Sequence, residues 1–253
     1  MSDRTKGVNV MNTNFSPNMI KTYQSCPKKY YFQYVENINV PKSSLPFEKG
    51  KKIHALANYH LQKIKIDRIE TALTPQEREI WELLKANPFY NMDYLKSEFT
   101  LNISLTPHPT LSHTPYSLTQ LVPRRFELVS PKGRGKNSYW LGGRLDAIVH
   151  NGDDYYILDY KTGSIPKNPE FDPQTMIYLL CADRYLKDYH SLSFVYIDLK
   201  NKQNYVVQFN EQLKERYEKE LINICNVINT DTAYQCNAAS CRYCEYNKHC
   251  ILK

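Results

Sequence analysis

The 253-residue chain contains no run approaching the ~18 consecutive apolar residues that a membrane span requires. Met1 to Asn14 is polar and has none of the apolar core of a secretory leader. These two absences point to a cytoplasmic protein with no membrane partner. A second composition regime is also missing, so one α/β domain is expected over residues 15–253, preceded by a disordered tail at 1–14. Disulfides are uncommon in a reducing compartment, and the seven cysteines therefore argue for metal or cluster ligation.

What the chain does contain suits a polyanionic partner. Its formal charge is +7, although a modest basic excess is common in proteins that bind no nucleic acid. Its 21 tyrosines offer surface able to stack on bases, and tyrosine is equally an ordinary residue at the edge of a core. A Pro-rich and basic insertion spans 106–136. Within it, Arg124, Arg125, Lys132, Arg134 and Lys136 surround a short predicted strand, Phe126 to Val129. Such a charge run reads either as a solvated face or as phosphate steering.

The densest chemistry lies between Gly142 and Tyr178. Tyr139 to Val149 and Tyr155 to Tyr160 are rich in aromatic and β-branched residues, and Asn151-Gly152-Asp153-Asp154 between them is turn chemistry, which predicts a β-hairpin. The hairpin folds Asp146 back beside Asp159. Neighbouring buried carboxylates repel and are costly to ionise unless a divalent cation lies between them. Lys161 follows Asp159 by two positions, so strand alternation turns both side chains to one face. Metal-binding carboxylates beside an ammonium can hydrolyse a phosphodiester: the metal polarises the phosphate and acidifies a water, and the cation holds that water and the developing charge.

Helices and strands around this hairpin are legible from caps and spacing. Ser16-Pro17 opens a helix that breaks and restarts at Cys26-Pro27. A long helix is predicted from about Phe47 to Ile66, with Gly50, Ile53, His54, Ala57, Leu61 and Ile64 on one face. His54 is therefore either a hydrogen-bonded core histidine or a ligand. Thr74-Pro75-Gln76-Glu77 is a capping box. Phe99, Leu101, Ile103 and Leu105 alternate with polar residues as a half-buried strand that Glu98 begins, and a solvated edge carboxylate is the ordinary reading of Glu98. Asp172-Pro173 caps a helix carrying Gln174 and Tyr178 on one face, and a second hairpin and an amphipathic helix from Leu213 to Ile228 follow.

The last segment, 236–253, changes character. Cys241, Cys244 and Cys250 form a Cys-x2-Cys-x5-Cys array, and one short loop can present three thiolates to a single centre. Cys236 is a less favoured further ligand, and Cys181 and Cys225 on helices read as buried thiols.

The ordered set of Asp146, then Asp159-Tyr160-Lys161, then Gln174 and Tyr178, resembles the PD-(D/E)XK nuclease superfamily in its RecB-like branch. The resemblance covers almost the whole chain, from Cys26 to Cys250. It implies a restriction-endonuclease-like α/β fold, a mixed central sheet flanked by helices. It further implies that His54, Asp146, Asp159 and the carbonyl of Tyr160 bind Mg2+ or Mn2+, that Lys161 orients and helps activate the attacking water, and that Gln174 and Tyr178 line the nucleic-acid channel. Some relatives carry a glutamate near the site on the strand of Glu98, which would give it an outer supporting role. Asp159 stands where many members have Glu, a substitution common in this branch.

The quartet Cys26, Cys241, Cys244 and Cys250 resembles that of RecB-like proteins with a 4Fe-4S cluster, including AddB-type repair subunits and CRISPR-associated adaptation nucleases. This implies a cluster joining the N- and C-terminal segments, with zinc on the same thiolates as the alternative. The implied function is metal-dependent cleavage of DNA, exonucleolytic on single-stranded ends, in repair, recombination or CRISPR adaptation, alongside a repair or adaptation protein. The rival classes are a non-catalytic DNA-binding or scaffolding module with the same fold and cluster, and a zinc-stabilised interaction module.

Overall fold

The computed structural model describes residues 12–40, 45–106 and 138–251. Residues 1–11 of the expected tail, and the expected insertion with Arg124, Arg125, Lys132, Arg134, Lys136 and the strand Phe126 to Val129, lie outside the described residues apart from Thr106. Asn14–Phe15 is a short strand, β1, parallel to Trp140 and Leu141, and Phe15 is buried against Tyr139.

The Ser16 hydroxyl accepts from the Met19 amide at 3.3 Å, and Pro17 sits in the first turn of α1 (Pro17–Ser25), where its missing N–H costs nothing. Cys26 is extended and separates α1 from α2 (Pro27–Tyr30), which runs into a π-helical turn over Tyr31–Val35. Helix α3 (Leu45–Leu61) ends earlier than predicted. Lys63 adopts φ 58°, so the chain has left the helix before Ile64, which is 47% exposed instead of sharing the buried face of Ile53 and Ala57. After α4 (Asp67–Thr71) comes α5 (Pro75–Lys85), opened by the predicted Thr74/Glu77 capping box.

The sheet is six-stranded and mixed. β2 (Asp93–Leu105) starts at Asp93 rather than at Glu98, and pairs antiparallel along nearly all of β3 (Tyr139–Asn151). β3 turns through Gly152, whose φ of 60° suits a residue without Cβ, into β4 (Asp154–Lys161). Helix α6 (Pro173–Tyr185) then crosses over to β5 (Ser191–Asp198), parallel to β4, and β6 (Gln203–Gln208) closes the second hairpin. α7 (Glu211–Thr230), a 3-10 turn over Ala238–Tyr243 and α8 (Asn247–Ile251) complete the described chain.

Each face of the sheet has its own core. Ile20 of α1, Ile177 and Leu180 of α6, and Tyr217 and Leu221 of α7 pack with Leu145, Ile157 and Phe194. On the other face Ile53 and Leu56 of α3 and Trp81 and Leu84 of α5 pack with Val149, Leu158, Val195 and Ile197. Central strands covered on both faces read as near-continuous apolar runs, as β5 does. Burial of each such side chain is worth about 1.5–3 kcal/mol. Among the described residues no helix is long and apolar enough to cross a membrane.

Candidate active site and cysteine cavity

Strand alternation decides which groups of β4 meet which helix. Leu158 and Tyr160 face the α3 side, so Asp159 and Lys161 emerge toward α6. Ala147 pairs with Leu158, the last pair of the hairpin, and Asp146 stands just beyond it, beside the Tyr160 backbone. The Asp146 carboxylate accepts the Tyr160 amide at 3.0 Å through Oδ2 and faces His54 Nδ1 at 3.0 Å through Oδ1.

His54 of α3 reaches the same point from the opposite layer. Its Nε2 lies 3.0 Å from the Tyr160 carbonyl oxygen, so both ring nitrogens face acceptors and the ring favours its protonated form until a bound cation displaces a proton. Burial works against that charge. The hydrogen bond and charge of Asp146, then the charges of Asp159 and Glu98, outweigh it and raise His54 to about 9.

Asp159 is buried, at 3% exposure. Burial pushes its carboxyl up and the Lys161 ammonium pulls it down, while the Asp146 charge pushes up again; the net shift is upward. Gln174 donates its side-chain amide to Oδ1. The Lys161 ammonium stands 2.7 Å from Oδ2, a close charge-assisted pair. For Lys161 burial opposes the charge, but Asp159 outweighs it and keeps the ammonium protonated beyond its usual range.

Glu98 belongs to this site and is not the solvated edge carboxylate expected. The pairs Ser97 with Ala147 and Phe99 with Leu145 bracket it, placing it opposite Asp146. Ligand atoms of His54, Glu98 and Asp146 all lie within 4.8 Å of one another. Glu98 also pairs with Arg144 Nε at 2.8 Å and adopts φ 47°, a strained value for a residue with a side chain, costing about 1–3 kcal/mol. Burial raises its carboxyl, Arg144 opposes that, and Asp146 reinforces it. Carboxylates, an imidazole nitrogen and a backbone carbonyl are the donor types of a hard divalent cation, and His54, Glu98 and Asp146 bring them together, with Asp159 outside that group.

The α6 pair divides its labour. Gln174 reaches Asp159 and also accepts from Lys161 Nζ at 3.4 Å. Tyr178 does not line an open channel: it is 6% exposed and donates its hydroxyl to the Arg144 carbonyl at 3.0 Å. The ring packs over Gly143, where an added Cβ would sit 2.7 Å from the tyrosine oxygen, so Gly143 lets α6 clamp β3 at the point where Asp146 leaves it.

The cysteines gather elsewhere. Cys26, Cys236, Cys241, Cys244 and Cys250 line one cavity of about 130 Å³ together with Lys28, Phe32 and Tyr246. Asn237 ties its rim, donating its amide to Cys26 Sγ at 3.4 Å and its side chain to the Ser25 carbonyl at 2.9 Å. Lys29 pairs with Glu245 at 3.0 Å, and Phe32 stacks on Tyr246, whose hydroxyl donates to the Ile38 carbonyl. Exposed Cys236, the less favoured ligand, is drawn in as well, 3.2 Å from Cys241 Sγ. Cys181 and Cys225 are buried, as expected, and burial pushes both thiols up.

No curated protein matches the chain. Among solved structures it is similar to SSO0001, at 15% identity over 95% of this chain and 87% of that one, with a TM-score of 0.41. A protein from Eubacterium rectale, provisionally named an exonuclease, is similar at 7% identity over 94% and 88% of the two chains, with a TM-score of 0.49. The family profile that matches runs over residues 14–251, nearly the whole chain, and on that ground the protein belongs to the PD-(D/E)XK nuclease superfamily.

Proposed function

We propose that this nuclease is a divalent-metal-dependent DNA exonuclease of the RecB-like branch, acting on single-stranded ends in repair, recombination or CRISPR adaptation. The observations that carry its chemistry are the meeting of Asp146 with His54 and Glu98, the contact of His54 with the Tyr160 carbonyl, and the Lys161 ammonium 2.7 Å from Asp159 at the end of the same strand. His54, Asp146, Asp159 and the Tyr160 carbonyl would hold Mg2+ or Mn2+, and Glu98 stands close enough to Asp146 and His54 to share in the ligation. Such a cation, when bound, polarises the phosphate and makes an attacking water more acidic. Lys161 carries its proton at neutral pH. It therefore acts as a donor: it orients the water and neutralises charge that grows on the phosphate as the bond is attacked. Gln174 keeps the Asp159 carboxylate aimed.

At the other end, Cys26, Cys241, Cys244 and Cys250 are the proposed ligands of a 4Fe-4S cluster. What supports a thiolate-bound group there is that Cys26 lines one cavity with the other three cysteines, which come from the far end of the sequence, with zinc on the same thiolates as the alternative.

End-labelled single- and double-stranded DNA, incubated with Mn2+ and anaerobically purified protein, tests the reading. Label should be released from single-stranded ends by the parent and not by Asp159→Ala, and the parent should contain about four irons per chain. Equal cleavage by Asp159→Ala rejects the site. Stoichiometric zinc without iron or sulfide rejects the cluster.

A further inference from the structure

The geometry points to Lys21 as a positioning residue of the nuclease site, an inference that rests on the catalytic reading above. Lys21 lies on α1, the helix that ends at Cys26, and reaches the start of α6. Its Nζ stands 2.7 Å from Asp172 Oδ1 and 3.3 Å from Gln174 Oε1. Asp172 is 9% exposed and caps α6, its Oδ1 also accepting the Gln174 amide at 2.9 Å and the Tyr196 hydroxyl at 3.3 Å.

The side-chain amide of Gln174 has one acceptor end and one donor end. Its oxygen meets two ammonium groups, Lys21 at 3.3 Å and Lys161 at 3.4 Å, and its nitrogen donates to Asp159 Oδ1. A flipped amide would set NH2 against two cations and a carbonyl against a carboxylate. The two lysines thus decide which end of Gln174 Asp159 sees. Lys161 is occupied with Asp159 and with the reaction, so Lys21 is the lock that stays in place while Lys161 responds to substrate. It also holds the α6 cap that delivers Gln174. With Lys21 gone, the Asp159 oxygen loses its enforced donor and the carboxylate its fixed aim. Weaker metal binding and slower turnover follow, on the 10- to 100-fold scale typical of groups that orient ligands.

The test uses the whole 253-residue chain, purified anaerobically. Lys21→Met, Lys21→Arg, Gln174→Ala and the Lys21→Met/Gln174→Ala pair are compared by Mn2+ calorimetry, by single-turnover cleavage across a Mn2+ titration, and by thermal unfolding. The expected result is about tenfold weaker Mn2+ binding for Lys21→Met beside a lowered melting temperature, recovery of both in Lys21→Arg, and no further loss of Mn2+ affinity when Lys21→Met is added to Gln174→Ala. A melting temperature that falls while Mn2+ affinity holds, or an equal additional loss on the Gln174→Ala background, would make Lys21 a helix-docking residue and overturn the proposal. If the parent cleaves no DNA, the catalytic reading fails by itself, and the calorimetric cycle still decides whether Lys21 acts through Gln174.

Discussion

The two places where this chain collects side chains of metal-ligand type are built in opposite ways. Asp146 and Asp159 stand inside long paired strands and His54 inside a long helix, each fixed by a ladder of backbone hydrogen bonds that extends beyond it. The cysteines stand on short turns, a helix joint and a five-residue helix, held by single contacts such as Asn237 to Cys26 and Lys29 to Glu245. A site built on sheet register exists before its ion arrives. A site built on turns takes much of its rigidity from what it binds, because short segments cannot offset their own ordering entropy.

The sharpest separation should come from Asp159→Ala. Metal ligation is worth several kcal/mol to the transition state, so turnover should fall by about 10³ or more, with Mn2+ binding lost and iron content unchanged. Loss of iron in that variant would show that the two regions fold as one. Lys161→Ala should cost on the order of 10² to 10³ in single-turnover rate while calorimetry still finds Mn2+ bound. Should it lose the ion as Asp159→Ala does, the lysine is structural.

Glu98→Gln probes the member of the site that stands on β2. Mn2+ affinity should weaken by about tenfold, with the melting temperature held or raised because the charge that burial and Asp146 disfavour is removed. Unaltered affinity would return Glu98 to a partner of Arg144 alone.

Cys26→Ala tests the other side of the comparison. Iron should be lost and the melting temperature lowered by several degrees, at about 2–4 °C per kcal/mol for a chain of this size, while Mn2+ affinity moves less than tenfold. A Mn2+ site that collapsed in parallel would mean that α1 transmits the loss.

The smallest effect concerns pH. His54 sits at about 9 when folded, against about 6.5 unfolded, so it adds stability below roughly pH 6.5 and loses it as pH climbs through 9. In chelator, the parent should therefore melt a few degrees lower at pH 9.5 than at pH 6, a difference that His54→Gln should remove.

Much of the fold was legible because its signals are local. Ser16, Thr74 and Asp172 begin helices by bonding amides within three residues, and Gly152 turns the hairpin with its own φ. Failures came where a segment's fate depends on a distant partner. Asn14 reads as tail until β3 offers it a strand edge, and Ile64 reads as helix until Lys63 turns the chain away.

The same division holds for the site. By itself the sequence determined that Asp159 and Lys161 share a face and that Asp146 returns beside them, since strand period and turn chemistry operate within one hairpin. It also determined that Cys241, Cys244 and Cys250 could meet, their spacing being too short to do otherwise. Only the tertiary structure decided that Glu98 faces Asp146, that Tyr178 is a buried clamp on Gly143, and that Lys21 reaches Gln174. Each of these joins elements far apart in the chain. Periodicity says which residues share a face, whereas the partner that face meets is set by sheet register and helix packing, to which no single segment holds the key.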